Sequence, residues 1–155
     1  MKPDITFCVY GLPRPAGSKR AFAIRKNGQP TGRIAVVDAC KESREWKSIV
    51  AGEAVEAMEE SRGQMFLEPV RLCVTFRLPR PKSHYGTGKH SDELRPSAPS
   101  FPAIKPDLLK LTRAVEDALT GIVWRDDSQV VSQCLDKKYD KYPGCTIQVS
   151  EVCDD

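Results

Sequence analysis

Histidine is scarce in this chain, with two copies in 155 residues, and glycine-rich phosphate loops, C-x-x-C pairs and long apolar runs are missing altogether. Each absence removes a class of chemistry. Without a Ser-His-Asp order or a dinucleotide fingerprint, neither triad-type acyl transfer nor nicotinamide chemistry has its motif. His84 and His90 share one polar stretch and read as exposed spectators. The six cysteines, Cys8, Cys40, Cys73, Cys134, Cys145 and Cys153, lack zinc-ribbon spacing. Cys8, Cys73, Cys134 and Cys145 fall in apolar strand-like runs and are expected to be small buried hydrophobes. No apolar run approaches transmembrane length, and no charged segment leads into a signal-type apolar one. The expectation is a soluble cytoplasmic protein with no membrane partner.

What is present fits one domain spanning 1–155, long enough to bury a core without disulfides or structural metal. The net charge of +3 matters less than its distribution. Arg14, Lys19, Arg20, Arg25, Lys26 and Arg33 make the early chain basic, while Glu53, Glu56, Glu59 and Glu60 make one helix acidic. A basic face suits phosphates, although ordinary solvated charge accounts equally well for any single residue.

The periodicity predicts an α+β fold, a single domain with a mixed β-sheet packed against two main helices and an N-terminal hairpin extension. Ile5 to Tyr10 alternates as a first strand, and Ala21 to Ile24 with Arg33 to Val37 flank an Asn27-Gly28 turn as a hairpin at the sheet edge. A helix runs from about Ser43 to Glu60, with Trp46, Val50, Ala54, Ala57 and Met58 as its core stripe. Val70 to Leu78 reads as a buried strand. Val130 to Tyr139 and Cys145 to Val152, joined through Tyr142-Pro143-Gly144, read as a closing antiparallel pair. Between them lies a long irregular segment, Pro79 to Ala103, made basic by Arg80, Lys82, Lys89 and Arg95. Two readings stand for it: a DNA-gripping arm, with Tyr85 and Phe101 available to stack on bases, or a plain flexible insertion.

The segment Lys105 to Val131 carries the most specific signal. Pro106 suits the first turn of a helix and Gly121 the left-handed position past its end. Leu108, Leu111, Val115, Ala118 and Leu119 define the buried stripe, with Lys110, Arg113 and Asp117 pointing away. Leu109 and Glu116 share one flank. Asp126 and Asp127 then sit at a strand mouth. An acidic residue at the helix start and an acidic pair beyond its end are the oxygen donors that a hard divalent cation takes. The commonplace roles of the same residues are a helix cap for Asp107 and a turn start for Asp126.

Asp107, Lys110, Leu111, Arg113, the Asp117-Ala118-Leu119 ending and the Asp126-Asp127-Ser128-Gln129-Val130 run together resemble the RusA type of Holliday junction resolvase. More loosely, Gly11 to Arg20 resembles the Pro-rich basic loop after the first strand of these nucleases. The resemblance implies a Mg2+-dependent endonuclease, with Mn2+ able to substitute, that nicks four-way and other branched DNA junctions as a homodimer with two sites. It implies that Asp107 and Asp127 bind metal and that Arg113 stands where the family carries a catalytic lysine. Arginine stabilises charge but does not donate a proton at ordinary pH. Leu109 replaces the second aspartate of the family's Asp-x-Asp. Glu116 is the candidate substitute, two turns or roughly 10 Å of helix rise away, and Asp126 is a further possible ligand. Arg14, Lys19, Arg20, Arg80, Lys82, Lys89, Lys105 and Lys110 are the candidate DNA contacts. Two alternatives remain: a junction-binding protein whose nuclease site has decayed, with Leu109 as the scar, and a metal-dependent hydrolase of small phosphate compounds, which would have no use for a long basic arm.

Overall fold

The computed structural model describes residues 4–17, 19–38 and 40–153, without the side chains of 19–20 and 36–38. The sequence order is β1 (Asp4–Tyr10), β2 (Lys19–Lys26), β3 (Gln29–Asp38), α1 (Lys41–Glu60), β4 (Val70–Leu78), α2 (Leu108–Leu119), β5 (Val130–Tyr139) and β6 (Gly144–Glu151). Four strands form one mixed sheet in the order β1-β6-β4-β5, antiparallel except for the parallel β4/β5 pair. The expected α+β architecture with two helices is therefore present.

Period-two alternation sets the layers. Ile5, Phe7 and Val9 of β1, Leu72, Val74 and Phe76 of β4, and Cys145, Ile147 and Val149 of β6 are buried on one face. Both helices cover that face. Trp46, Val50 and Ala54 of α1 and Leu111, Val115, Ala118 and Leu119 of α2 complete a single core. The opposite face stays open, which corrects the expectation for the cysteines. Cys8 and Cys134 are exposed and Cys73 is half-buried, because each alternates with an inward residue on strands covered on one side only. Cys145 alone of the four is buried, and burial pushes its thiol up to about 12.

A second correction concerns the closing strands. β5 and β6 are not hydrogen-bonded neighbours, since β4 lies between them. The chain leaves β4, passes through α2 and returns as β5, and such a crossover brings strands together in parallel. β6 then takes the other edge of β4 and pairs with β1. The hairpin follows the Asn27-Gly28 expectation, with φ of 54° and 77° at the turn. It forms its own two-stranded sheet and adds nothing to the edge of the larger one. Phe22 and Ile34 remain exposed on it.

The segment Pro79 to Ala103 contains only short 3-10 turns at Lys82–His84 and Gly88–His90, yet it is tied to itself and to the body. Gly86 donates to the Glu93 carbonyl and Arg95 to the His84 carbonyl, each at 2.9 Å. Arg80 donates to the Pro99 carbonyl at 2.7 Å and lies 4.4 Å from the Tyr139 ring centroid.

Candidate active site along the second helix

α2 begins at Leu108, two residues after Pro106. Asp107 is the N-cap and Pro106 precedes it, outside the helix. Asp107 holds the capping position without using its side chain to cap. Its carboxylate instead meets the Lys110 ammonium at 3.5 Å, with both side chains exposed. The commonplace capping role is thus unfilled at this residue. At the other end Gly121, with φ of +86°, takes the left-handed position, and its N–H donates to the Trp124 carbonyl at 2.7 Å. Trp124 is fully buried and its Nε1 donates to Thr120 Oγ1 at 3.0 Å. This anchored turn fixes where the acidic pair emerges.

Asp126 does the structural work that the turn reading foresaw. Its Oδ1 accepts from the Ser128 N–H at 2.8 Å, and Gln129 Oε1 accepts from the Asp126 N–H at 3.0 Å, a reciprocal capping box. The hydrogen bond from Ser128 holds the Asp126 carboxyl below its ordinary range. Gln129 also donates to the carbonyls of Phe66 and Glu68, so the loop is braced against the chain entering β4. Asp127 follows, exposed, in the first turn of the 3-10 segment.

Glu116 is the half-buried carboxylate of the region. Burial raises its pKa, and the charge of Asp127 adds to the rise, while a hydrogen bond from Gln133 and the charge of Arg113 oppose it. The charge of Asp127, at the entry to β5, thus reaches Glu116 on α2. Gln133 of β5 donates to Glu116 Oε1 and holds it there. Asp117, on the neighbouring flank, is committed to Lys47 of α1 at 3.1 Å. Asp107 and Glu116 lie nine residues apart on one helix, about 13 Å of rise, too far to share one ion directly. Among the described residues, no three acidic, histidine or cysteine side chains form a ready-made metal cluster. Leu109, where the family pattern carries its second aspartate, is 69% exposed.

The candidate DNA contacts divide by environment. Lys82, Lys89, Lys105 and Lys110 are exposed and Arg14 is half-buried, whereas Arg80 is engaged with Pro99 and Tyr139. The side chains of Lys19 and Arg20 lie outside the described residues. Ala16 donates its N–H to the Lys110 carbonyl at 3.0 Å, which lays the Pro-rich loop against the first turn of α2. Arg14, Lys105, Lys110 and Asp107 accordingly line one cavity.

Two positioning residues were missed in the sequence. Gln133 holds Glu116, and Lys137 Nζ donates to the carbonyls of Ile104 and Pro106 at 2.6 and 3.0 Å, fixing the approach to Asp107. Neither has a local signal, because each acts across the gap between strand and helix. The Gln129 brace was readable, since Asp126-x-x-Gln129 has the spacing of a capping box.

Compared with known proteins, residues 14–150 match the family described as Endodeoxyribonuclease RusA. The chain is also 32% identical over 152 residues to the "Uncharacterized protein YqaN" of Bacillus subtilis (strain 168), with 96% of each chain covered.

Proposed function

Because the chain belongs to the endodeoxyribonuclease RusA family, we propose that it is a Mg2+-dependent, structure-selective nuclease that resolves four-way and other branched DNA junctions by paired nicks. The observation that carries this reading is the half-buried Glu116 carboxylate, within reach of the charge of Asp127. Burial and Asp127 together raise the proton affinity of Glu116, and a cation between the two would relieve that repulsion. Mg2+ needs few protein carboxylates, since waters and substrate phosphate fill its remaining positions. The residues present thus fit the ion.

Glu116 and Asp127 would hold it, with Asp126 adjacent and its second carboxylate oxygen available. Asp107 would contribute from the helix mouth, where a second ion would sit. When bound, Mg2+, or Mn2+ in its place, neutralises charge building on the scissile phosphate and activates water. Arg113, near enough to Glu116 to act on its charge, stabilises the same phosphate without giving up a proton. Arg14, Lys105 and Lys110 bind phosphates beside the cut, and Lys82 and Lys89 extend that grip. A four-way junction has two-fold symmetry, so paired nicks call for a homodimer with one site in each copy.

Incubation with a labelled four-way junction and a matched linear duplex, with Mg2+, Mn2+ or chelator, tests the reading. Paired metal-dependent nicks in the junction, lost in Asp107→Asn, are expected. The exposed Leu109 favours the rival of a binding-only protein with a decayed site. Tight, salt-sensitive junction binding with no cleavage in any metal would establish that rival and defeat the nuclease reading.

A further inference from the structure

A cavity of about 390 Å3 opens on the N-terminal side of α2, beside Asp107. Leu12, Pro13, Pro15, Leu78 and Pro106 make much of its lining apolar, and Arg14, Lys105 and Lys110 add positive charge. The loop that makes one wall is fixed at both ends. Gly11 donates to the Pro143 carbonyl at 3.1 Å and Ala16 to the Lys110 carbonyl at 3.0 Å. Lys137 holds the stretch that contributes Lys105 and Pro106 through the Ile104 and Pro106 carbonyls. Asp107 also lines the cavity, paired with Lys110, and the charge of Arg14 also acts on Glu42; three cations against one carboxylate leave the lining positive on balance.

Apolar lining beside cations suits a flat uncharged ring carrying a phosphate. The size falls in the range of small-molecule sites, about 300–1,000 Å3. We propose that this cavity takes one nucleotide of the DNA next to the cut, with the base on Leu12, Pro13 and Leu78 and the phosphate at Arg14 and Lys105. The base chosen beside the nick is selected here. The inference rests on the nuclease reading and names the substrate feature that reading leaves open. It also supplies a source of branch preference. Extracting a base from a duplex costs a few kcal/mol of stacking and pairing, and least where pairing is already broken. A pocket that must be filled therefore favours nucleotides at a branch point over those in a linear duplex.

Two measurements test it. In the first, 2-aminopurine replaces single bases flanking the branch of a four-way junction, and its fluorescence is followed on binding in chelator, where no cleavage is needed. A severalfold rise at one position, absent from the matched linear duplex, is expected. In the second, wild type, Leu12→Met and Leu12→Trp act on junctions carrying each of the four bases at that position. Leu12 is exposed, so added bulk fills the cavity without entering the core. Wild type and Leu12→Met should share one base preference, and Leu12→Trp should flatten it. No rise at any flanking position, or an unchanged preference in Leu12→Trp, would overturn the inference. If wild type cuts no DNA in any metal, the nuclease reading fails and the fluorescence alone decides the pocket.

Discussion

The mouth of α2 gathers Arg14, Lys105 and Lys110 with Asp107 around a partly apolar cavity, whereas its last turns carry Glu116 and Asp117, with the charge of Asp127 acting on Glu116. Apart from Asp107 at the N-cap, both arrangements run against the helix dipole, which favours acids at the start and bases at the end by about 0.3–1 kcal/mol each. The first turn contains no acidic residue and the last turn no basic one. The helix tolerates this because its stability comes from the buried stripe of Leu111, Val115, Ala118 and Leu119. Local preference is sacrificed at both ends, as happens where a ligand supplies the missing charge. The cationic end suits DNA phosphates, and the acidic end suits a metal.

If the two ends have separate tasks, single substitutions should separate binding from cutting. The largest effect is expected for Glu116→Gln, which keeps the shape and removes the charge. Cleavage should fall by about a hundredfold or more, the scale of losing a group that stabilises charge in a site, while junction affinity holds. Unchanged turnover would remove Glu116 from the site. Its raised pKa adds a pH signature, because a carboxylate must lose its proton to hold a cation. Activity should therefore fall as pH drops through a value above the ordinary glutamate range. For the metal-free fold the sign is opposite. The stabilisation from protonated Glu116 is full below the ordinary glutamate pKa and is lost as pH rises through the raised one.

A smaller effect is expected for Lys137→Ala, which frees the loop leading to Asp107. Hydrogen bonds involving a charged group contribute about 1.5–3 kcal/mol, so a stability loss near the low end should appear in denaturant unfolding. Junction affinity should weaken more than metal affinity does. Equal losses of both would blur the division between the ends. The smallest effect belongs to Lys110→Ala. Junction affinity should drop modestly, and the slope of log affinity against log salt should shrink by about one. An unchanged slope would take Lys110 off the phosphates.

The sequence made the strands and helices of the body readable, because each buries one face and so repeats with period two or 3.6. Val70 to Leu78 and Val130 to Tyr139 coincide with β4 and β5. Strand partnership was not readable, since the pattern of β5 is compatible with either neighbour and the α2 crossover decides between them. The same limit explains Cys8 and Cys134, whose apolar neighbours gave no sign that the outer face of the sheet is uncovered. At the site, Asp107, Asp127 and Glu116 were named from the chain alone, whereas their grouping depended on side chains crossing from β5. Gln133 holds Glu116, on which the charge of Asp127 acts, so the candidate substitute for the aspartate missing at Leu109 lies toward the far end of the helix and not at its mouth.

The claim that Glu116 and Asp127 form the metal-holding pair is tested most directly by titrating Mn2+ into wild type and Glu116→Gln with junction DNA present. The free-ion electron paramagnetic resonance signal reports what remains unbound. The account predicts metal binding at least about tenfold weaker in the variant, the lower end of what losing even a supporting group costs a metal site, with the junction still bound. Superimposable titration curves would contradict it.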